Sequence, residues 1–579
     1  MSRPADGLLQ SIGKNTVPSW LTGTGDESFA KVWLSGIVIA AVLLGVSLLS
    51  SPIPGINEPH YLCKARAFDD PEWCSRDFFL TSTNAHYCFF AVVGRFTRWF
   101  SLDAIAIFGR TISVMLLATG WTMLGRSLGL SAAWRIIAAC VFASISQLGN
   151  FSGEWLLGGF ESKVPAWGLS LVAISLWMRG QIRRCPGWMT AAGVICGLAC
   201  SLHPVVGGWV AVCLCLASAW TIVTGRSEVR MFFRHRVHPG GSTASCATSV
   251  QLMKPLLGIG LFAASTIVMA SPGLVPALRL LLDKSSPLKD RELASFVQVF
   301  WRLKHHLDPT ELLSSQWIYA AVLLGGVIVA ARWLSSTACR KNSDQGDTAK
   351  PWNHLLTVFA MSVVIAAAGV AIGWHTVTAR EMVGWEWRAA LLKFYPFRAF
   401  DALLPIVASF VLARVLSLRF EMLRGHLAPR LIVILIVSCA APLALAWHGR
   451  VLAPPGYTTD QFAEWRDASQ WIRENTPKNA LVLTPRESSA FKWKAERAEY
   501  VCYKDCPQDT AGILTWNRRL WLLHDWTLKS SSDGCYDAAD LTTLRRQTDC
   551  DYILTRILGP FDSAPLWQGQ EWRIYSVPE

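Results

Sequence analysis

The stretch Asn57-Glu58-Pro59-His60-Tyr61 brings an acid, an imidazole and a phenol together within five residues, shortly after a long apolar segment. Pro59 suits the first position of a helix, because its fixed φ is helical and its missing N–H would be unpaired there anyway. That placement makes Glu58 the N-cap residue, in the positive field of a helix dipole that favours an ionised carboxylate. An ionised Glu58 could act as a general base. The structural alternative is that its charge only complements the dipole of a surface helix.

Further polar groups lie near the ends of apolar runs in four more segments of the chain. They are Glu154 and Glu161, followed by Lys163; His203; Lys304, His305 and His306; and Arg398 with Asp401. Arginine and lysine suit phosphate oxygens, and histidine can donate to a phosphate or a sugar hydroxyl. Interfacial ion pairs, a helix cap and a basic belt facing anionic lipid are the structural alternatives. Because the groups converge on one predicted membrane face, the sequence predicts a binding site there.

The sequence identifies no cofactor but leaves room for a divalent metal. Asp70 lies in the acidic run Asp69-Asp70-Pro71-Glu72, whose aspartates could replace Glu58 as the base or bind a metal, although such runs are also common in solvated turns. Cys63, Cys74 and four cysteines beyond residue 500 could form disulfides in an oxidising compartment, with free thiols as the alternative. A zinc site at Cys502 and Cys506 lacks a second pair of ligands.

Apolar helices must position these groups. The 579-residue chain is 52% hydrophobic and 16% charged. Runs of about twenty apolar residues, the length that crosses roughly 30 Å of hydrocarbon, recur as far as Trp447. We predict about eleven spans, at 32–50, 103–124, 132–148, 164–178, 187–202, 204–223, 255–275, 317–335, 353–373, 402–418 and 431–447.

Positive charges set the predicted orientation. With residues 1–31 as a cytoplasmic leader, every predicted inner loop carries Arg or Lys, as the positive-inside rule requires. The net charge of +13 is then a topology signal, and no nucleic-acid partner is predicted. The outer loops of this arrangement are 51–102, 149–163, 276–316 and 374–401. Within the first, residues 86–100 contain two arginines and are predicted to form an amphipathic helix in the outer interface.

Residues 448–579 alternate amphipathic helical patterns with apolar runs of four or five residues, which is typical of a compact α/β domain. The odd number of spans places this domain outside the cytoplasm. It has no recognisable nucleotide loop or Gly-x-Ser-x-Gly motif, so we expect it to recognise substrate or to act as a scaffold. The predicted fold is therefore mostly α, a polytopic transmembrane helical bundle with a C-terminal soluble α/β domain, in a bacterial-type inner or plasma membrane.

Asn57-Glu58-Pro59-His60-Tyr61, just after the first span, resembles the Asp-Glu-x-x-Tyr motif of the GT-C superfamily of polytopic glycosyltransferases, such as protein O-mannosyltransferases and the aminoarabinose transferase of lipid A. Asn57 departs from the motif's first acid, so Glu58 becomes the catalytic base by position. The resemblance implies transfer of a sugar from a polyprenyl-phosphate donor to an extracytoplasmic glycan, lipid or protein. It also implies that Arg398 neutralises the leaving phosphate. The residues expected to bind substrate are His60, Tyr61, Asp70, Glu154, Glu161, His203, Lys304, His305, His306, Arg398 and Asp401.

Two other classes of function stay open at this point. If the protein were a transporter or lipid flippase, we would expect charged residues at mid-membrane and internal repeats. The sequence shows few charges deep within the predicted spans, Arg110 being the exception, and no detectable repeat. A non-catalytic envelope-assembly protein could use the same scaffold to bind a partner through the outer domain.

Overall fold

The computed structural model describes residues 27–55, 57–236, 244–340, 346–422, 428–454, 456–486 and 490–578. Each predicted span lies within a helix. The helices that contain the predicted spans are Phe29–Ser50, Leu102–Ser127, Ala132–Leu148, Lys163–Arg183, Pro186–Leu202, Pro204–Arg236, Ala244–Leu282, Ser314–Arg340, Gly346–Gly373, Arg398–Met422 and Ala428–His448.

Seven of these helices, within the described residues, are long and apolar enough to cross a membrane. Ala132–Leu148, Pro186–Leu202 and the apolar part of the last helix, Ile432–His448, are apolar but shorter. The chain is therefore a multi-pass membrane protein, and the count of eleven spans stays a prediction.

Small residues let some of the long helices approach closely. Gly193 and Gly197 lie four residues apart on the face of Pro186–Leu202 that meets Ala244–Leu282. A Cβ on Gly193 would lie 2.4 Å from the carbonyl oxygen of Phe262, and one on Gly197 would lie 2.6 Å from that of Thr266. Only glycine permits these backbone contacts, which is a common way for membrane helices to associate.

Short helices connect the ends of the long ones on one side of the bundle. They are Glu58–Asp69, Tyr87–Phe96, Leu288–Phe296, Lys304–Leu307 and Trp385–Leu392, with a π-helical turn at Val297–Arg302 and a 3₁₀ turn at Pro309–Glu311. The helix predicted within residues 86–100 is thus present. The helix after the first span begins at Glu58, with Pro59 as its second residue and Asn57 in the cap position. The expectation that Glu58 is the N-cap residue was therefore wrong by one position.

The C-terminal part contains a five-stranded sheet in the order β2-β1-β3-β5-β4. The strands are β1 Leu481–Leu483, β2 Ala498–Glu499, β3 Tyr552–Thr555, β4 Trp567–Gln568 and β5 Arg573–Ser576. β1 pairs in parallel with both β2 and β3, and β5 runs antiparallel between β3 and β4. Its helices are Thr459–Asn475, Phe491–Ala495, Thr510–Ser530 and Ala538–Thr548.

The sheet packs on the first outer loop through a shared hydrophobic core. Leu62 and Cys63 of the helix Glu58–Asp69 belong to the same buried cluster as Trp493 and Trp516. At its edge, Arg76 donates to Asp551 at 2.5 Å and to Asp549 at 2.7 Å. The described cysteines are free thiols, including the six considered for disulfides. Burial of apolar surface and ion pairs therefore hold these parts together.

Candidate functional site

Glu58 lies in an enclosed ion pair with Arg110, close to where the first long helix ends at Ser50. Its two carboxylate oxygens accept hydrogen bonds from Arg110 Nε at 2.7 Å and Arg110 Nη2 at 2.8 Å. They also accept from the backbone N–H groups of Gly55 and Phe160, both at 2.6 Å. Neither side chain has any exposed surface.

This arrangement disagrees with the expectation that Glu58 faces an aqueous crevice as a base. A base needs an accessible lone pair, and here four donors fill the carboxylate. Arg110 also donates to the carbonyl oxygen of Ser51 at 2.6 Å, so the pair fixes the chain as it leaves the first span. The sequence contained a signal for this ion pair, because an arginine inside an apolar helix commonly pairs with an acid.

A large cavity lies beside Tyr61, between the long helices and the short outer ones. Its volume is about 1010 Å³. One part has apolar walls from three long helices: Val205, Trp209, Val212, Leu274, Leu278, Leu281, Ile365, Ala368 and Ile372. The polar residues of the lining are the cations Arg291, Lys393 and Arg398, the acids Asp283, Glu292 and Glu386, and Tyr61, His86 and His203. The apolar walls suit a hydrocarbon tail, and Arg398, which lies beside Tyr61 and His203, offers a group for an anionic head.

Arg398 is the most firmly held cation of the cavity. Its guanidinium donates to His203 Nε2 at 3.1 Å and lies 3.3 Å from Glu154 Oε2. It also stacks over the ring of Tyr395, with the guanidinium carbon 4.2 Å from the ring centroid. The other oxygen of Glu154 accepts from Trp167 Nε1 at 2.7 Å. The side chain of Arg398 keeps 17% of its surface exposed, so the orientation is fixed while access to the cavity remains.

Asp401, one turn further along this helix, holds the second outer loop. Its carboxylate accepts from the backbone N–H groups of Phe151 at 2.6 Å, Ser152 at 2.8 Å and Glu154 at 2.8 Å. His306 donates to the carbonyl oxygen of Ser152 at 2.5 Å. Burial, followed by the neighbouring His305, keeps the pKa of His306 well below its usual value, so this ring is neutral. Both residues, expected to bind substrate, instead position the loop.

Glu161 lies outside the described cavity lining, but its carboxylate is close enough to Tyr61 of the lining to influence it. Asn57 Nδ2 donates to one of its oxygens at 2.8 Å, and Lys163 Nζ lies 3.1 Å from the other. Its side chain is 9% exposed, and its charge, after burial, raises the pKa of Tyr61. Asn57 thus has a defined contact, because its amide orients the carboxylate of Glu161.

Eight of the predicted substrate-binding residues lie outside the described lining of this cavity: Glu154, Glu161, His306 and Asp401, whose contacts are given above, and His60, Asp70, Lys304 and His305. Asp70 is exposed after the last residue of Glu58–Asp69, and Lys304 is an exposed partner of Glu311 at 2.9 Å. His305 is exposed and packs on His306. His60 donates instead to Asp505 of the C-terminal part at 2.9 Å.

The sequence missed residues that the fold brings to the site from other elements. His86 lies in the cavity wall with its ring centroid 4.7 Å from that of His203, and Tyr395 supports Arg398. Lys504, from the C-terminal part, lies close enough to Glu161 for that acid to raise its pKa. Burial and then Arg302 outweigh this effect, so the pKa of Lys504 is lowered. None of these contacts follows from spacing along the chain.

A second, buried cluster of charges joins the first outer loop to the C-terminal part. Lys492 Nζ lies 2.5 Å from Asp505, 2.8 Å from Glu499 and 3.5 Å from Asp77, which belongs to the loop. Burial alone would lower the pKa of Lys492, but these three acids together raise it well above its usual value.

Ligand atoms of Glu499, Cys502 and Asp505 lie within 4.8 Å of one another, as in a metal site. The ammonium group of Lys492 occupies the place of a cation between the two carboxylates. A divalent metal does not fit beside a charged lysine at these distances, so we assign no metal to this cluster.

The chain is similar to one family model and to several solved structures. A family model described as a domain of unknown function, DUF6798, matches residues 463–523. No curated protein matches the chain. The oligosaccharyltransferase of Archaeoglobus fulgidus, solved as a crystal structure with Zn and sulfate, is similar at 14% identity and a TM-score of 0.42, over 90% of this chain and 68% of that chain.

A structure of the archaeal oligosaccharyltransferase AglB from the same organism, with an inhibitory peptide and a dolichol-phosphate, has 13% identity and a TM-score of 0.43 over 92% of this chain and 70% of that one. Both similar structures are oligosaccharyltransferases. TM-scores below 0.5 carry no argument about activity. The function of this chain has to be argued from its own residues.

Proposed function

We propose that this protein is a membrane glycosyltransferase that moves a sugar from a polyprenyl-phosphate donor to an extracytoplasmic glycan, lipid or protein acceptor. The observation that carries the proposal is the cavity of about 1010 Å³, which is apolar between the long helices and cationic at Arg398 and Lys393. A polyprenyl tail fits the apolar part, and the phosphate then meets the guanidinium.

Arg398 stabilises the leaving group in this reaction. As the bond between the sugar's anomeric carbon and the phosphate oxygen breaks, negative charge collects on the phosphate. A guanidinium held by Glu154 and Tyr395 needs no reorientation at that moment. His203 accepts one N–H of Arg398 and so keeps the group in place.

Glu161 takes the role of base that the sequence assigned to Glu58. The side chain of Glu161 keeps 9% of its surface exposed and lies near Tyr61, whereas the side chain of Glu58 has no exposed surface and its carboxylate accepts from four donors. The acceptor's hydroxyl or amide proton passes to Glu161 as the acceptor attacks the anomeric carbon. Lys163 and Asn57 keep the carboxylate oriented before the transfer.

The test compares Arg398→Gln with Arg380→Gln, since Arg380 is an exposed arginine on the same outer loop and outside the described cavity lining. Two measurements are made: mass spectrometry of envelope glycans and glycoproteins from a deletion strain carrying each variant, and binding of polyprenyl phosphate to purified protein in nanodiscs. We expect Arg398→Gln to lose both the glycan product and lipid binding, and Arg380→Gln to keep both. A deletion that leaves all envelope glycans unchanged would refute the transferase, and altered lipid distribution alone would favour a flippase.

A further inference from the structure

A second cleft, in the C-terminal part, lies at the carboxyl ends of two parallel strands. Its volume is about 530 Å³. Leu483, Thr484, Pro485 and Arg486 line it where β1 ends, and residues 553–558 line it where β3 ends. Helix Thr510–Ser530 forms another wall through Leu520 to Thr527.

The strand order of the sheet places this cleft where ligands commonly bind in parallel α/β sheets. The chain runs from β1 to β2 on one side and then returns to β3 on the other side of β1. The loops that follow β1 and β3 therefore leave in opposite directions and open a crevice between them. Ligands of parallel α/β sheets bind at such switch points, outside the carboxyl ends of the strands.

The lining combines aromatic rings with positive charge. Tyr457, Trp301, Trp521, Trp526 and Trp572 contribute rings, and Trp521 is 54% exposed. Arg486, Arg556 and His524 contribute cationic or donor groups, and the described lining contains no Asp, Glu or Lys.

Both arginines are held in place by neighbouring groups. The guanidinium of Arg556 lies 3.3 Å from Glu571 and 5.4 Å from the ring centroid of Tyr457. Arg486 stacks over Tyr503 at 4.4 Å. The planar donors of arginine match carboxylate and phosphate oxygens, and the faces of the aromatic rings suit the apolar face of a sugar ring.

We propose that this cleft binds an anionic carbohydrate chain, with sugar rings on Trp521 and the carboxylate or phosphate groups on Arg486 and Arg556. The segment after β1, Thr484-Pro485-Arg486, contains no glycine, so it lacks the glycine-rich turn that cradles the phosphates of a nucleotide. The cleft is distinct from the polyprenyl cavity, since the two share no lining residue. Helix Thr510–Ser530 contributes to both, with Thr510 and Ile513 at the cavity and Leu520 to Thr527 at the cleft.

The experiment measures binding to the purified full-length protein in detergent by isothermal titration calorimetry. The ligands are an oligomer of hexuronic acid, a sugar-phosphate oligomer, a neutral oligosaccharide of equal length and a nucleoside monophosphate. The variants are Trp521→Ala, Arg556→Gln and Arg486→Gln, with Arg518→Gln as the control, because Arg518 is exposed on the same helix and outside the described lining.

We expect at least one of the two anionic oligomers to bind, and each cleft variant to weaken that binding about tenfold. Arg518→Gln should bind as the unmodified protein does. Which of the two oligomers binds distinguishes a carboxylate from a phosphate as the recognised group. Equal affinity for the neutral oligosaccharide, preference for the nucleotide, absence of binding, or insensitivity to all three substitutions would each overturn the proposal. The readout does not depend on sugar transfer, so it separates this proposal from the glycosyltransferase.

Discussion

At the residue scale, the proposed mechanism assigns the role of base to Glu161, whereas Glu58, the base expected from the sequence, forms a buried ion pair with Arg110. We predict that Glu161→Gln lowers the rate of sugar transfer by about 10²–10⁴-fold, because the amide cannot take a proton from the acceptor. Binding of polyprenyl phosphate should remain, since Arg398 and the apolar walls are untouched. The measurement is the yield of modified envelope glycan beside nanodisc lipid binding. Glu311→Gln, which changes an exposed outer-loop acid, serves as the control. Full transfer by Glu161→Gln would show that another group is the base.

The pair Glu58–Arg110 leads to a prediction about stability instead. Replacing Glu58 by Gln should destabilise the protein by about 3–5 kcal/mol, because a fully buried guanidinium loses its counter-charge. The double variant Glu58→Gln, Arg110→Met should recover part of this loss, since no charge is then left unpaired. Unfolding in detergent, followed by tryptophan fluorescence, measures both. If Glu58→Gln unfolds at the same denaturant concentration as the unmodified protein, the pair is not structural.

At the scale of elements, the cluster around Lys492 joins the helix Glu58–Asp69 and its loop to the sheet. Burial, opposed by Lys492, raises the pKa of Glu499 to about 7 from an ordinary value of 4.5. The folded protein therefore holds a proton that the unfolded chain releases. The stability from this proton is present below pH 4.5 and is lost as the pH rises towards 7.

We predict that the unmodified protein loses stability relative to Glu499→Gln over this pH range, by up to about 1.4 kcal/mol per pH unit. The comparison with Glu499→Gln isolates the contribution of the Glu499 carboxyl to the pH dependence of stability. Burial lowers the pKa of Lys64 to about 7, so Lys64 also titrates near this range, but it contributes equally in both proteins. Denaturant titrations at several pH values measure the difference. Asp467→Asn, which changes an exposed acid of the same part of the chain, should show no such trend. A flat difference between pH 4.5 and 7 would contradict the assignment.

Individual elements were predictable where one local signal dominated. Each long apolar run gave a helix, and the strands at Leu481–Leu483, Tyr552–Thr555 and Arg573–Ser576 followed from short apolar runs between amphipathic helices. The two-residue strands β2 and β4 carry too little pattern to be recognised. Contacts such as Glu58 with Arg110, 52 positions apart, or Lys492 with Asp77 depend on tertiary packing, which a single sequence does not encode locally. This explains why the cationic group Arg398 was identified and the enclosure of Glu58 was not.

At the scale of the whole molecule, the short connecting helices and the sheet assemble at one end of the helical bundle. The helix Glu58–Asp69 contacts Phe491–Ala495, and Leu288–Phe296 contacts both Trp385–Leu392 and Thr510–Ser530. Two of the predicted outer loops, 51–102 and 276–316, therefore contact the C-terminal part, and the third, 374–401, packs on the second of them. The cavity beside Tyr61 is lined by residues of these loops and of the C-terminal part, so under the proposed function its orientation decides from which compartment the acceptor comes.

Two cysteines provide a test of that orientation without any substitution. Cys535 is exposed in the C-terminal part, and Cys185 lies partly exposed in the connection between Lys163–Arg183 and Pro186–Leu202, which is predicted to face the cytoplasm. We predict that a membrane-impermeant maleimide modifies Cys535 in intact cells but reaches Cys185 only after the membrane is opened. Peptide mass spectrometry before and after permeabilisation measures the extent of labelling of Cys535 and of Cys185 in the same protein. Buried Cys550 should stay unmodified in either case, which checks that the protein remains folded. Labelling of Cys185 with protection of Cys535 would place the site on the cytoplasmic side, where a soluble sugar nucleotide could reach it and no lipid-linked donor would be required.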